Sequence, residues 1–300
     1  MNLLYLGELA AIITSVTFAL NSTLFTVAGR LVGSTVVNRV RLIAACLFLT
    51  LAHWIFMGSL WPVGAEWDRW FWLGLSGIVG LVLGDAFLFQ AFIWVGPRLS
   101  MLMMSLAPII AAAIAWIFLG EKLSWWQISG ILITLIGIGW VVLEKNKNQP
   151  PNKESYLKGI LFGLGGAAGQ GLGVVLAKLG LSGNFSPISA NFIRMFIAMI
   201  VLWAVTLVQK EFKSTINKAI SNPKALLGIL GGAFTGPFIG VSLSMLALQH
   251  TSIGVASTLM ALPPIFLLPV ERFYFKEKMG WGTVVGTFLA LVGVGVLFLL

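Results

Sequence analysis

Of 300 residues, 58% are hydrophobic and 10% charged, and the mean hydropathy is +0.97. A water-soluble domain is about half apolar and about a quarter charged, so this composition excludes one and fits a chain solvated by lipid. The net charge of +9 would suit a nucleic-acid binder in a soluble protein. Here the basic residues stand in loops beside apolar runs, where they report topology and imply no nucleic-acid partner.

A helical span needs roughly 20 apolar residues, because lipid offers no partner to an exposed backbone amide or carbonyl. Taken in chain order, the apolar runs predict spans over about 7–28, 35–57, 70–95, 98–119 and 125–143. A second set follows over about 157–180, 187–208, 224–249, 252–273 and 281–300. The opening MNLLYLGELAAIITSV has no basic start and carries Glu8, so the first span is expected to stay in place and not to be cleaved as a signal. The short connections make neighbouring spans antiparallel hairpins.

Between the two sets lies the polar linker 144–156, with Pro150 and Pro151 among alternating charges. It divides the chain into 1–143 and 157–300. Most loop lysines fall in 144–158 and 209–224, on the same side as Arg30, Arg98, Lys276 and Lys278. The positive-inside rule therefore places both termini outside the cytoplasm.

The halves repeat one another. Shifting by 156 residues pairs Pro108 with Pro264, Glu121 with Glu277, Lys122 with Lys278, Trp125 with Trp281 and Gly130 with Gly286. Gly137 and Gly139 find Gly293 and Gly295, while nearer the start of each half Asn38 and Arg41 answer to Asn191 and Arg194. Glycine, proline, tryptophan and charged residues rarely coincide through shared apolar composition. Because five is odd, the second copy enters the membrane from the opposite face. The expected fold class is therefore all-α integral membrane, with ten transmembrane helices as two inverted five-helix repeats.

A proline within a span frees a carbonyl and bends the helix, which is tolerated only beside protein or a wet cavity. Pro108 and Pro264, the latter preceded by Pro263, are thus read as marking a midplane cavity, against the plainer reading of packing kinks.

Each half closes with a proline, a Glu-Lys pair and then a tryptophan followed by spaced glycines. With GDAFLFQAFIWVGPRLSMLMMSLAP at 84–108 and LALQHTSIGVASTLMALPP at 246–264, this order resembles the drug/metabolite transporter superfamily, in particular its ten-span members with two EamA repeats. The first half keeps Gly120 before Glu121, whereas Lys276 precedes Glu277 in the second. The resemblance implies a transporter whose central cavity is lined by the first, third and fourth helices of each half. It further implies a cargo of metabolites such as amino acids, often moved outward. For many relatives it implies cytoplasmic termini, opposite to the orientation read from the lysines, which is kept here.

An ionisable group deep in a span costs about 2.5–3.5 kcal/mol on insertion scales, so each asks for a reason. Asp85 lies well inside the third span, and its repeat partner is Val241. It suits recognition of a substrate ammonium or uptake of a proton, or else a fixed ion pair with Arg41 near the same face. Arg41 and Arg194 are read as snorkelling to headgroups at least as readily as binding substrate. The same reading is given to Glu8, Lys178, Glu271 and Arg272 near span ends. Neutral candidates for substrate binding are Asn21, Ser22, Gln90, Ser105, Gln170, Ser244 and Thr258, all equally suited to interhelical hydrogen bonds. Met260, with Met101, Met103 and Met104, would give an adaptable apolar lining or plain packing. Glycine-rich GLGGAAGQGLG at 163–173 points to close helix packing.

Cys46 is the only cysteine, and His53 and His250 stand apart, so no disulfide, metal or cofactor is expected. Neither paired acids nor an activated nucleophile nor a GxxxxGK[ST] loop appears, which argues against an intramembrane enzyme and against ATP coupling within the chain. The expected function is secondary transport of a small metabolite across an inner membrane by alternating access, with membrane lipid and protons as the other partners. A flippase for a lipid-linked carrier is the alternative, and nothing in the sequence fixes an oligomeric state.

Overall fold

The computed structural model describes residues 6–118, 124–148, 153–181, 185–250, 259–276 and 280–299, and every regular element among them is helical. Among the described residues seven helices are long and apolar enough to cross a membrane, beginning with Leu6–Val32, Ser34–Met57 and Trp67–Val95. The others are Trp125–Glu144, Glu154–Ala177, Ile188–Val208 and Pro223–Ser244, with shorter apolar helices at Pro97–Ala111 and Trp281–Val296. Side chains such as Leu47, Phe56, Leu143 and Val208 lie exposed along them. In a lipid-solvated protein that outward apolar face is the expected one, and the chain is an integral membrane protein.

Helix α1 (Leu6–Val32) turns directly into α2 (Ser34–Met57) through Gly33, whose φ of 91° an L side chain rarely adopts. The third rod consists of α3 (Trp67–Gly77), a π-helical stretch Ile78–Gly84 and α4 (Asp85–Val95). The expected span 98–119 is two helices, α5 (Pro97–Met104) and α6 (Ala107–Phe118), separated by a turn at Ser105 and Leu106. Helices α7 (Trp125–Asn148), α8 (Lys153–Gly180) and α9 (Pro187–Val208) follow. The basic stretch read as a loop then holds a nine-residue helix, α10 (Phe212–Ile220). It forms because Thr215 and Ala219 bury on one face while Lys213 and Lys218 stay outside. The next rod is α11 (Pro223–Ala233), a second π-helical stretch Phe234–Gly240 and α12 (Val241–His250). Last come α13 (Pro263–Pro269), π-helical Val270–Tyr274 and α14 (Trp281–Leu299).

Two pairs of helices matched by the sequence repeat pack against each other, and they run antiparallel. On α2 and α9, Trp203 Nε1 donates to the Arg39 carbonyl at 3.1 Å, while His53 Nε2 lies 3.0 Å from Ser189 Oγ. Along α7 and α14, Thr134 abuts Gly293 and Glu144 abuts Gly282, again in opposite order. A Cβ on Gly137 would come within 2.3 Å of the Ala290 amide nitrogen, so glycine is what lets these two backbones touch.

The remaining long contacts also cross between halves. Gly159, Gly166, Gly169, Gly173 and Gly180 of α8 lie against Val95, Leu88, Gly84, Gly80 and Leu73 of the third rod. Reciprocally, Gly228, Gly232, Gly236 and Gly240 lie against Ala28, Phe25, Asn21 and Phe18 of α1. The glycine runs expected to bring helices close do so.

Candidate functional site

A π-helical turn carries an extra residue, which leaves backbone carbonyls without their usual intrahelical donor. In the first such stretch two carbonyls are taken up by side chains from other helices. Gln170 Nε2 on α8 donates to Gly80 O at 3.1 Å, and Arg41 Nη2 on α2 donates to Leu81 O at 3.4 Å. The same two side chains hold Asp85, the first residue after the stretch. Its Oδ1 accepts from Gln170 Nε2 at 2.6 Å, and its Oδ2 accepts from Arg41 Nη2 in a salt bridge. Arg41 Nε also donates to Asn38 Oδ1 at 3.1 Å, and its guanidinium carbon lies 4.8 Å from the Phe89 ring centre.

Arg41 and Asp85 are only 3% and 5% exposed. Snorkelling is thereby corrected for Arg41: its charge is neutralised within the protein and never reaches a headgroup. The fixed ion pair weighed for Asp85 is present. Arg194, the repeat partner of Arg41, approaches from α9. Its backbone crosses the third rod at Gly77, where a Cβ would stand 2.3 Å from Arg194 O, and its side chain runs toward Gly80 beside Gln170. Arg194 feels the Asp85 charge, yet among the described residues its Nε has no hydrogen-bond partner.

The second π-helical stretch begins 156 residues after the first, in register with the sequence repeat. There Pro237 O accepts from Asn191 Nδ2 at 3.4 Å, and Gly240 O accepts from Thr14 Oγ1 at 3.3 Å. Val241 occupies the Asp85 position, so only the first half carries a carboxylate.

The prolines mark a second matched feature. Ser105 and Leu106 interrupt the fourth rod, and Ala261 and Leu262, again 156 residues on, interrupt the chain before α13. Leu106 N donates to Met103 O at 2.9 Å and Leu262 N to Leu259 O at 3.4 Å, the same tight turn in both halves. Pro108 and Pro264 each stand second in the helix that resumes. Such a position needs no amide hydrogen, so proline restarts a helix there without loss. Ser15 of α1 donates its hydroxyl to Leu259 O beside the second break.

Of the other candidates, Ser105 is buried within the first break and Pro264 just after the second. Ser22 and Ser244 donate to Ala19 O at 2.9 Å and Val241 O at 2.7 Å, so both hydroxyls serve their own helices. Gln90 Oε1 accepts from Ser34 Oγ across the α1–α2 turn. Asn21 is half-buried against Gly236, and Met260 packs on Ala10, Ala11 and Ala247. Thr258 and the side chains of Pro108 and Lys178 lie outside the described residues. Asp85 and Gln170 are thus brought into contact, whereas Ser22, Gln90 and Ser244 are not part of that cluster.

One further pair escaped the sequence reading. Arg98 Nε at the start of α5 lies 2.5 Å from Glu271 Oε2 in the π-helical end of the α13 rod, with Thr287 Oγ1 of α14 accepting from Arg98 Nη1 at 3.5 Å. These two are 2% and 0% exposed. Snorkelling is corrected for Glu271 as well, since it pairs inward across the repeat. Its only sequence signal was opposite charge at the same-side ends of matched spans. Arg39, likewise buried, binds Glu211 at 2.6 Å, Gln209 at 2.7 Å and Thr215 at 2.9 Å, and so secures α10. No His/Cys/Asp/Glu group able to hold a metal occurs among the described residues.

The model of the EamA-like transporter family matches residues 5–143 and again 157–299. A crystal structure of a protein is similar at 17% identity and a TM-score of 0.62, over 97% of this chain and 96% of its own. At that identity the likeness shows the fold alone. No curated protein matches.

Proposed function

This chain belongs to the EamA-like transporter family, and from that premise we propose that it is a secondary carrier moving a small metabolite across an inner membrane by alternating access. Ten spans in two inverted halves, joined through the linker 144–156, are the working architecture. The observation that carries the reading is the matched tight turn at Ser105–Leu106 and Ala261–Leu262, each followed by a helix that starts with a proline in its first two residues, in halves whose paired helices run antiparallel. Two copies of opposite orientation have near-equivalent shapes open to either face, and broken helices supply the polar backbone that a midplane site needs.

In this reading the buried Arg98–Glu271 pair ties α5 to the π-helical end of the α13 rod on the lysine-rich side. Opening that side requires the pair to part. Asp85 is the coupling group: a proton on its carboxylate weakens the hold of Arg41 and Gln170, freeing two side chains that span both halves. An amino acid is the favoured cargo class, with export the favoured direction, and both rest on the family likeness.

Flux of a panel of amino acids into proteoliposomes under imposed proton gradients tests the carrier. Accumulation or counterflow of at least one solute is expected; no flux of any solute would remove it.

A further inference from the structure

The charges around the first π-helical stretch do not balance. Arg41 and Arg194 bring two guanidinium groups toward a single carboxylate, and Asp85 is engaged on both oxygens by Arg41 and Gln170. One positive charge is left over, on Arg194. Its Nε has no partner among the described residues, and no carboxylate there lies within ion-pair distance of it. Two cations sharing one counter-ion within the spans imply that a further negative charge is supplied from outside the cluster.

The Arg194 guanidinium lies at the glycine seam between the third rod and α8. Its Nη2 and Gln170 Oε1 both face Gly80, 3.7 Å and 3.6 Å from where a Cβ would stand, an ordinary contact distance. Gly84, Gly169 and Gly173 continue the same seam between the third rod and α8 and project no side chain into it. Arg194 is half-buried where Arg41 and Asp85 are closed off, and no carboxylate among the described residues engages its donors, whereas Arg41 is committed to Asp85. Arginine presents a planar pair of donors that matches a carboxylate in two parallel hydrogen bonds.

We infer that Arg194 is the anion subsite of this carrier and that its cargo is a monocarboxylate, bound by the Arg194 guanidinium, since Gln170 Nε2 is already committed to Gly80 O and Asp85 Oδ1. The inference rests on the carrier reading and adds a carboxylate partner at Arg194 to the substrate ammonium weighed for Asp85. A single negative charge neutralises the cluster, whereas a phosphate dianion would overshoot it and leave a buried negative charge. Asp85 then has a second role: by occupying Arg41, it directs the arriving carboxylate to Arg194.

Matched probes test this without a variant. Purified full-length protein is assayed by thermal shift and by counterflow in proteoliposomes with L-phenylalanine and phenylalaninamide, L-threonine and threoninamide, benzoate and benzamide, and inorganic phosphate. Carboxylates are expected to stabilise and exchange about tenfold to a hundredfold better than their amides, the range for a hydrogen-bonded charge, with phosphate ineffective. R194Q is expected to erase that preference and R194K to retain part of it. Equal binding of acid and amide, preference for phosphate, or an unchanged preference in R194Q would overturn the subsite. Should amides move while no carboxylate does, the carrier stands and the subsite falls; should neither set move, both fall.

Discussion

Replacing Glu271 by glutamine removes a charge and almost no volume, and so isolates what the Arg98–Glu271 contact contributes. The variant leaves the Arg98 guanidinium, only 2% exposed, with neutral acceptors alone: the new amide oxygen and Thr287 Oγ1 at 3.5 Å. Two unit charges about 4 Å apart attract by about 4 kcal/mol at an effective dielectric of about 20. Breaking one side of a buried pair costs about 3–5 kcal/mol by experience with other proteins. Both side chains are almost wholly enclosed, so solvent screening does not reduce that figure here. E271Q and R98M are therefore each expected to lose about 3–5 kcal/mol, read as denaturant midpoints of the purified protein in detergent. R98M/E271L removes both charges and is expected to lie within about 2 kcal/mol of the wild type, giving a strongly non-additive cycle. Single variants each costing under about 1 kcal/mol, or costs that simply add, would refute the account of this pair as a buried tie.

D85N is expected to keep the Gln170 contact while separating transport from the proton gradient, measured as flux with and without an imposed pH difference; full coupling in D85N would remove the proton role from this residue. Gly169→Ala puts a Cβ 2.6 Å from the Gly84 Cα and should cost about 1–3 kcal/mol in thermal unfolding, whereas Gly139→Ala, with open space around it, should be neutral or gain up to about 1 kcal/mol. Similar losses for the two would mean that the α8 seam is looser than described. Cys46, buried in α2, is expected to resist maleimide in membranes and to react only after denaturation, as mass spectrometry would report.

Helix boundaries were legible where the apolar pattern meets a strong stop. The seventh expected span, 187–208, coincides with α9, because Pro187 opens it and polar Gln209 and Lys210 close it. Ends were missed where polar residues continue a helix: α7 runs on to Asn148 and α8 starts at Lys153, since helices that emerge from lipid need not stop at its edge. The first two π-helical stretches had no periodic signal, though paired glycines at 80 and 84 and at 236 and 240 stand in both.

Within the site, counting inward from the span ends brought Arg41 and Asp85 to a common depth. No such count reaches Gln170, 85 residues from Asp85, or pairs Arg98 with Glu271 across 173 residues. Such contacts depend on which faces of packed helices meet, and every apolar helix offers several.

The sequence by itself determined that the chain lives in lipid, that it contains a duplication and that prolines recur at matched points, because composition and repetition are carried by residue order alone. Only the tertiary structure decided which buried charges neutralise one another and which remains over. Ion pairing depends on distances of a few ångströms between helices, and those are set by the glycine seams along which the two halves pack.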